Sequence, residues 1–194
     1  MTVSPNIVVV AGPNGSGKTT AAPVLLRDYL GLTEFVNADT IAQGLSGFDV
    51  EGVAMRAGRI MLTRLRELAE SRADFAFETT LASQSFAPWL KELRGAGYRV
   101  HLLFLWLASP EMAIARVRTR VEQGGHHVAD EVVRRRYHRG LRNFFCIYRR
   151  VVDEWMMFDN SGNAAYELIA AQVQPDSVQV VNEALWKSLE EQYA

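Results

Sequence analysis

The 194-residue chain is poor in cysteine, in lysine and in long apolar runs. Its single cysteine, Cys146, cannot close an internal disulfide and has no cysteine partner for a zinc site, so a reducing compartment is the natural setting. No stretch of about 18 apolar residues occurs, and no membrane-spanning helix is expected. The longest apolar run, residues 102–108, is the size of a strand. The first six residues are uncharged and lack the basic start of an export signal. Formal net charge is −1, so no global basic field recruits nucleic acid or an anionic membrane. These absences predict a cytoplasmic protein with no membrane association. Internal repeats and low-complexity segments are missing too, while 48% of residues are apolar and 22% charged. That balance supports a real core and excludes a disordered tail, a collagen-like repeat and a disulfide-stapled miniature fold. The length suits a single domain over 1–194.

What is present is unevenly placed. Lys18, Lys91 and Lys187 are the only lysines, leaving 18 arginines. Ten of those fall between Arg116 and Arg150, against the three acids Glu122, Asp130 and Glu131, a local excess of seven positive charges.

Short apolar runs alternate with longer segments of helical period. The runs at 7–11, 34–38, 74–77, 99–107 and 154–159 read as strands, several of them continuously hydrophobic, as strands covered on both faces are. Helices are expected at 18–30, 50–71, 86–95, 110–123 and 130–150, with Gly31, Gly95, Gly97, Gly124 and Gly125 near their ends. Residues 166–173 are a candidate further strand and 179–192 a closing helix. Strand and helix in repetition predict an α/β fold of three layers around a parallel sheet. Ligands in such folds collect at the carboxyl ends of the strands.

The first strand runs into Gly12-Pro13-Asn14-Gly15-Ser16-Gly17-Lys18-Thr19-Thr20, which satisfies G-x-x-x-x-G-K-[ST] in the required strand–loop–helix context. Glycines let main-chain N–H groups turn inward around a phosphate with no Cβ in the way. A helix starting near Lys18 aims its positive end at the same anion. Lys18 supplies a mobile cation for the outer phosphates, and the Thr19 hydroxyl is placed to ligate Mg²⁺. ATP and Mg²⁺ are the expected cofactors.

Two carboxylates follow the next strands. Asp39 stands just past the second one and is placed to accept the proton of a hydroxyl attacking the γ-phosphate. The bland alternative is an N-cap for a short helix over 40–44. Glu78 follows the third strand, where a charge is costly unless paired or facing a cleft. It would hold a water of the Mg²⁺ shell or a substrate hydroxyl, or else pair with an arginine.

The arginine-rich segment, about 110–150, reads as a helical lid. Ala113, Ile114, Val117 and Val121 line one face of its first helix, with Arg116 and Arg120 one turn apart beside them. Gly124 and Gly125 supply a hinge-like turn carrying His126 and His127. The second helix buries Val133, Tyr137, Leu141, Phe144 and Tyr148 and carries Arg134, Arg135, Arg136 and Arg139 on its other sides. Guanidinium groups stay charged and grip phosphate oxygens in a fork. An ordinary solvated helix face explains most charge runs, and Arg135 points furthest from the apolar stripe. The two histidines lack carboxylate or cysteine partners at ligand spacing, which favours a structural or substrate-touching role over a metal. Trp89, Trp106, Trp155 and Trp186 are scattered, as packing residues are.

Taken in order, Ala11–Thr20 (AGPNGSGKTT), Asn37–Ala42 (NADTIA), Phe77–Ser83 (FETTLAS), Gly97–Leu107, Gly124–Val128 (GGHHV), Arg135–Tyr137 (RRY) and Phe158–Ser161 (FDNS) resemble the zeta-toxin family of P-loop kinases, in its compact branch. The resemblance spans most of the chain. It implies a kinase-like P-loop NTPase with a five-stranded, mainly parallel sheet. It implies phosphotransfer from ATP to a small-molecule hydroxyl, with UDP-N-acetylglucosamine as acceptor and Asp39 as general base. Lys18 and Glu78 complete the catalytic set that it implies, and Arg120, Arg136 and Arg139 clamp phosphates. A protein antitoxin is the partner that goes with such an enzyme. Two other activities fit the motifs: a nucleotide-binding regulatory switch without small-molecule kinase activity, and a nucleic-acid end kinase. The switch has no need of Asp39 as a base, and overall neutrality with no aromatic platform weighs against the end kinase.

Overall fold

The computed structural model describes residues 4–23, 26, 31–162, 166–174 and 177–194. The chain opens with β1 (Asn6–Ala11), whose five apolar residues are buried on both faces, and passes through the phosphate loop into α1 (Lys18–Ala22). The expected continuation of that helix to residue 30 falls mostly on 24, 25 and 27–30, outside the described residues. There follow β2 (Phe35–Val36), α2 (Ala38–Leu45), α3 (Ala54–Glu70) and β3 (Phe75–Thr79). Next come α4 (Phe86–Gly95), β4 (Arg99–Trp106), α5 (Pro110–Glu122) and α6 (Asp130–Asn143). A π-helical turn at Phe144–Tyr148 and the short α7 (Arg149–Val151) lead to β5 (Glu154–Asp159). Strands β6 (Glu167–Gln174) and β7 (Ser177–Val180) and helix α8 (Glu183–Tyr193) complete the chain.

The seven strands form one sheet in the order β2-β3-β1-β4-β5-β6-β7. Pairs up to β5 are parallel, whereas β5–β6 and β6–β7 are antiparallel. The five-stranded expectation is therefore corrected to a seven-stranded mixed sheet. Its parallel core matches the strands read from continuous apolar runs. The candidate strand at 166–173 is β6, and the closing helix expected over 179–192 is α8 preceded by the end of β7, a strand that the sequence did not announce. In β7 three of four residues are exposed, so no buried run announces it.

Alternate residues of the central strands feed opposite faces. Ile7, Val9, Phe75, Phe77, Leu102 and Phe104 join the larger core with α3, α4, α6 and α8. Val8, Val10 and Ala76 pack with Ala22 and Leu26 on the other side. Helices on both faces leave the carboxyl ends of β1, β2, β3 and β5 as the open edge. Among the described residues no helix is long and apolar enough to cross a membrane.

The long helix expected over 130–150 is α6, a π turn and α7. Its apolar stripe is buried as expected at Val133, Tyr137, Leu141, Phe144 and Tyr148. The underside of α6 touches the loop after β3. Gly140 sits where a Cβ would collide with the carbonyl oxygen of Thr80. Asn143 Nδ2 donates to Leu81 O (2.7 Å) and the Tyr148 hydroxyl to Ser83 O (2.6 Å). These contacts hold Leu81 at φ +54°, a left-handed backbone that a leucine rarely adopts unaided.

Candidate active site

The open edge carries a cleft of about 880 Å³ between the phosphate loop, α2, the loop after β3 and the α5–α6 lid. Its floor is the phosphate loop. Gly12, Gly15 and Gly17 all have positive φ, and a Cβ at Gly12 would strike the Leu105 carbonyl oxygen. A Cβ at Gly17 would lie 2.7 Å from Asn160 Nδ2, the atom that donates to Ser16 O at 2.9 Å. Asn160 thus braces the loop from the end of β5. Asn14 Oδ1 and Ser16 Oγ are buried with no hydrogen-bond partner among the described residues. A main-chain cradle with side-chain atoms still unpaired fits a phosphate chain.

Lys18 is 5% exposed. Its ammonium donates to Pro13 O (2.8 Å) and lies 3.7 Å from Glu78 Oε1. Burial pulls its pKa below the usual lysine range, opposed by the charges of Glu78 and Asp39. Glu78, at the end of β3, accepts from Thr19 Oγ1 (2.9 Å) and Asn37 Nδ2 (2.7 Å). Among the described residues its ionic partner is Lys18, not a lid arginine. The Thr19 hydroxyl and the Glu78 carboxylate are hard oxygen donors side by side. They fit Mg²⁺, which takes one or two protein oxygens and keeps waters and phosphate oxygens for the rest. No cluster of three or more His, Cys, Asp or Glu of the kind that cages a metal occurs among the described residues.

Asn37 resolves the alternative reading of Asp39. Asn37 caps α2, its Oδ1 accepting from Asp39 N (2.7 Å) and Thr40 N (3.4 Å). The Asp39 side chain, freed from capping, is 47% exposed at the rim of the cleft. From the lid, Arg116, Arg120 and Arg136 line the same cleft. With Lys18 they set four cations against Asp39 and Glu78, a balance that suits a polyanion. The Arg120 Nε is buried with no partner among the described residues. Burial lowers the Arg136 pKa, and the nearby Asp39 opposes that shift. Arg139 is exposed and lies off the cleft, as does Arg135.

The lid helices are clasped by two ion pairs, Arg118 with Asp130 and Arg134 with Glu111. His126, on the turn between them, faces Asp39: Nε2 lies 3.5 Å from Oδ2. Sequence reasoning did not single out Asn37, Arg116 or Asn160 as site residues. Asn37 and Asn160 lie inside quoted motifs, and Arg116 is one turn from Arg120 on the same helix, so that spacing was the available signal.

A phosphate loop, a strand-end acid and an arginine-bearing lid on a sheet of this order define a P-loop kinase-like α/β protein. The family described as an AAA domain matches residues 7–144, and the chain belongs to that family. An uncharacterized protein of Haemophilus influenzae is 28% identical over 132 residues, covering 67% of this chain and 91% of the relative. The fold is shared with the AvrRxo1-ORF1:AvrRxo1-ORF2 complex with sulphate ions (TM-score 0.78, 16% identity), over 96% of this chain and 64% of that one. This chain therefore spans less than two thirds of that neighbour's length. The same complex with ATP superposes at TM-score 0.73 with 17% identity, again over 96% and 64%. The PezAT toxin-antitoxin system of Streptococcus pneumoniae matches at TM-score 0.68 with 14% identity, over 100% of this chain and 79% of that one.

Proposed function

We propose that this protein transfers the γ-phosphate of ATP to a hydroxyl group of a small molecule. The observation that carries the reading is the Asp39 carboxylate, released from capping by Asn37 and exposed on the cleft that also holds Lys18, Thr19 and Glu78. A carboxylate in that place receives the proton of an attacking hydroxyl. The phosphate loop orients the triphosphate. Lys18 leaves its contacts with Pro13 and Glu78 for the outer phosphates, and Arg120 and Arg136 neutralise charge from the lid. Thr19 and Glu78 would hold Mg²⁺, which would supply positive charge against the phosphate oxygens. Arg139 would reach phosphate only through a shift of α6, so Arg116 takes its place in the proposed clamp.

The acceptor end of the cleft is lined by Met55, Met61, Thr80, Ser83 and Phe86, a surface of apolar and hydroxyl groups. The zeta-toxin resemblance makes UDP-N-acetylglucosamine the first acceptor to test. It also makes a protein antitoxin the expected partner, a reading supported by the likeness to PezAT, a toxin-antitoxin system.

The test is ADP release with ATP and Mg²⁺, with and without UDP-N-acetylglucosamine, and mass spectrometry of the products. A phosphorylated sugar nucleotide is expected, lost in Lys18→Ala and reduced by about 10²–10⁴-fold in Asp39→Asn. ATP turnover with no phosphorylated sugar nucleotide would sink that acceptor. Turnover indifferent to Asp39→Asn would remove the general base and leave a nucleotide-dependent switch.

A further inference from the structure

We propose that His126 aims the catalytic base: from the lid turn, its Nε2–H holds Asp39 Oδ2 and leaves Oδ1 to receive the acceptor's proton. The inference rests on the phosphotransfer reading above and adds a positioning residue to it.

The two adjacent histidines of the turn have opposite surroundings. His127 is 62% exposed and lies near Glu51, itself exposed. His126 is only 10% exposed, although it sits on a glycine-flanked turn where polar side chains ordinarily face water. Burying an imidazole costs free energy unless its polar atoms find partners. Asp39 is the carboxylate in reach, 3.5 Å from Nε2. That separation is long for a hydrogen bond. Rotation of the exposed Asp39 side chain shortens it, as such contacts shorten when a site fills.

One tautomer of His126 serves this role. Arg120 Nη2 lies 3.4 Å from His126 Nε2 and 3.3 Å from the His126 carbonyl oxygen. A guanidinium only donates, and the His126 carbonyl accepts from it in either tautomer; the proposed tautomer carries its proton on Nε2, where Asp39 is the acceptor that faces it. The charged groups that face the imidazole are Asp39 on α2, Glu51 before α3, Arg120 on α5 and Arg136 on α6. Burial holds its pKa below the usual histidine range, Arg120 and Arg136 add to that, and the two acids oppose it. The ring is thus neutral near pH 7, with one N–H to give.

In the transfer step the acceptor oxygen bonds to the γ-phosphorus while the bond from that phosphorus to the β,γ-bridging oxygen breaks. ADP leaves with that electron pair, and the acceptor proton passes to Asp39 Oδ1. The His126 proton does not move. His126 rides on the turn joining α5 and α6, so the aim of the base follows the position of both helices.

The experiment measures ADP release and phosphorylated product for the full chain and for the variants H126A, H126Q, H127A, D39N and D39N/H126A. H126A is expected to lose about tenfold to a hundredfold in kcat with KM for ATP within about twofold, a smaller loss than that of the base itself. H126Q places an amide N–H near the position of Nε2 and should recover most of the rate. H127A should match the wild type. D39N/H126A should be no slower than D39N, because His126 acts through Asp39. An independent reading is the ¹⁵N NMR titration of His126, whose pKa should fall in D39N when the facing carboxylate charge is removed. A wild-type kcat in H126A beside a depressed D39N would overturn the role of His126 and leave the base standing. A raised KM for ATP at constant kcat would make His126 a nucleotide contact, and an unmoved His126 pKa in D39N would deny the pairing. Turnover unaffected by D39N would bring down both the inference and the reading beneath it.

Discussion

The floor of the cleft is built from main chain and its lid from side chains. In the phosphate loop, three glycines in left-handed backbone turn peptide groups inward, and Asn160 fastens the loop by a hydrogen bond to the Ser16 carbonyl oxygen. Across the cleft, Arg116, Arg120 and Arg136 reach in on long flexible stems from helices clasped by exposed ion pairs. The floor is held by main-chain geometry, whereas the lid presents its charges on rotatable side chains. Preorganisation on one side and adaptability on the other is an arrangement suited to an enzyme that grips a constant nucleotide and admits a second substrate.

The sharpest way to break this contrast is to add one methyl group to the floor. Gly12→Ala meets the Leu105 carbonyl and a φ of +141° together, so it should cost more than about 3 kcal/mol and abolish the ATP-dependent rise in Tm. Denaturant unfolding with and without ATP checks both effects. Asn143→Ala acts where the lid is anchored. It leaves the Leu81 carbonyl unpaired beneath α6 and should cost about 1–3 kcal/mol, with KM for the acceptor raised more than KM for ATP.

Next in size is Tyr148, at the base of the lid. Burial pushes its hydroxyl pKa up from 10.0 to about 12. The folded state therefore holds this proton longer than the unfolded chain, and the stability it contributes is present below pH 10 and lost as pH rises from 10 to 12. Tyr148→Phe should lower stability by about 1 kcal/mol at pH 8 and flatten that alkaline decline, as denaturation midpoints across the range would record. The smallest effect belongs to the clasp. Arg118→Ala breaks an exposed pair with Asp130 and should cost no more than about 1 kcal/mol in unfolding experiments. A loss of several kcal/mol there would mean that the lid is as rigidly preset as the floor.

Much of this was legible in the sequence where one residue type has one physical use. The run Ile7–Ala11 followed by Gly12 to Thr20 fixes strand, loop and helix start, and the structure has all three. Continuous apolar runs disclosed the five parallel strands because both their faces are buried. Strand β7, at the edge, has mostly exposed side chains and left no such trace. For Asp39 the sequence allowed a cap or a base, because two asparagine-like roles are possible within three residues of a helix start. The structure divides the work, giving the cap to Asn37 and leaving Asp39 to the cleft. Arginine spacing marked a lid without telling which members face inward. Arg116 lines the cleft while Arg139 stays outside it, since that depends on how α5 and α6 are rolled against the sheet.

The segment that marks the family ends at residue 144, in the middle of a stack of rings. Phe144 meets Trp155 edge-on with centres 5.4 Å apart, and Trp155 lies parallel to Trp186 of α8 at 5.3 Å. The same later stretch sends Asn160 back to the phosphate loop. Kinship and foldability therefore have different borders in this molecule. A fragment trimmed to its most recognisable residues would lose the aromatic wall of its own core and the brace under its nucleotide cradle, so transplants or minimal versions of this cleft must carry the unfamiliar carboxyl-terminal part along.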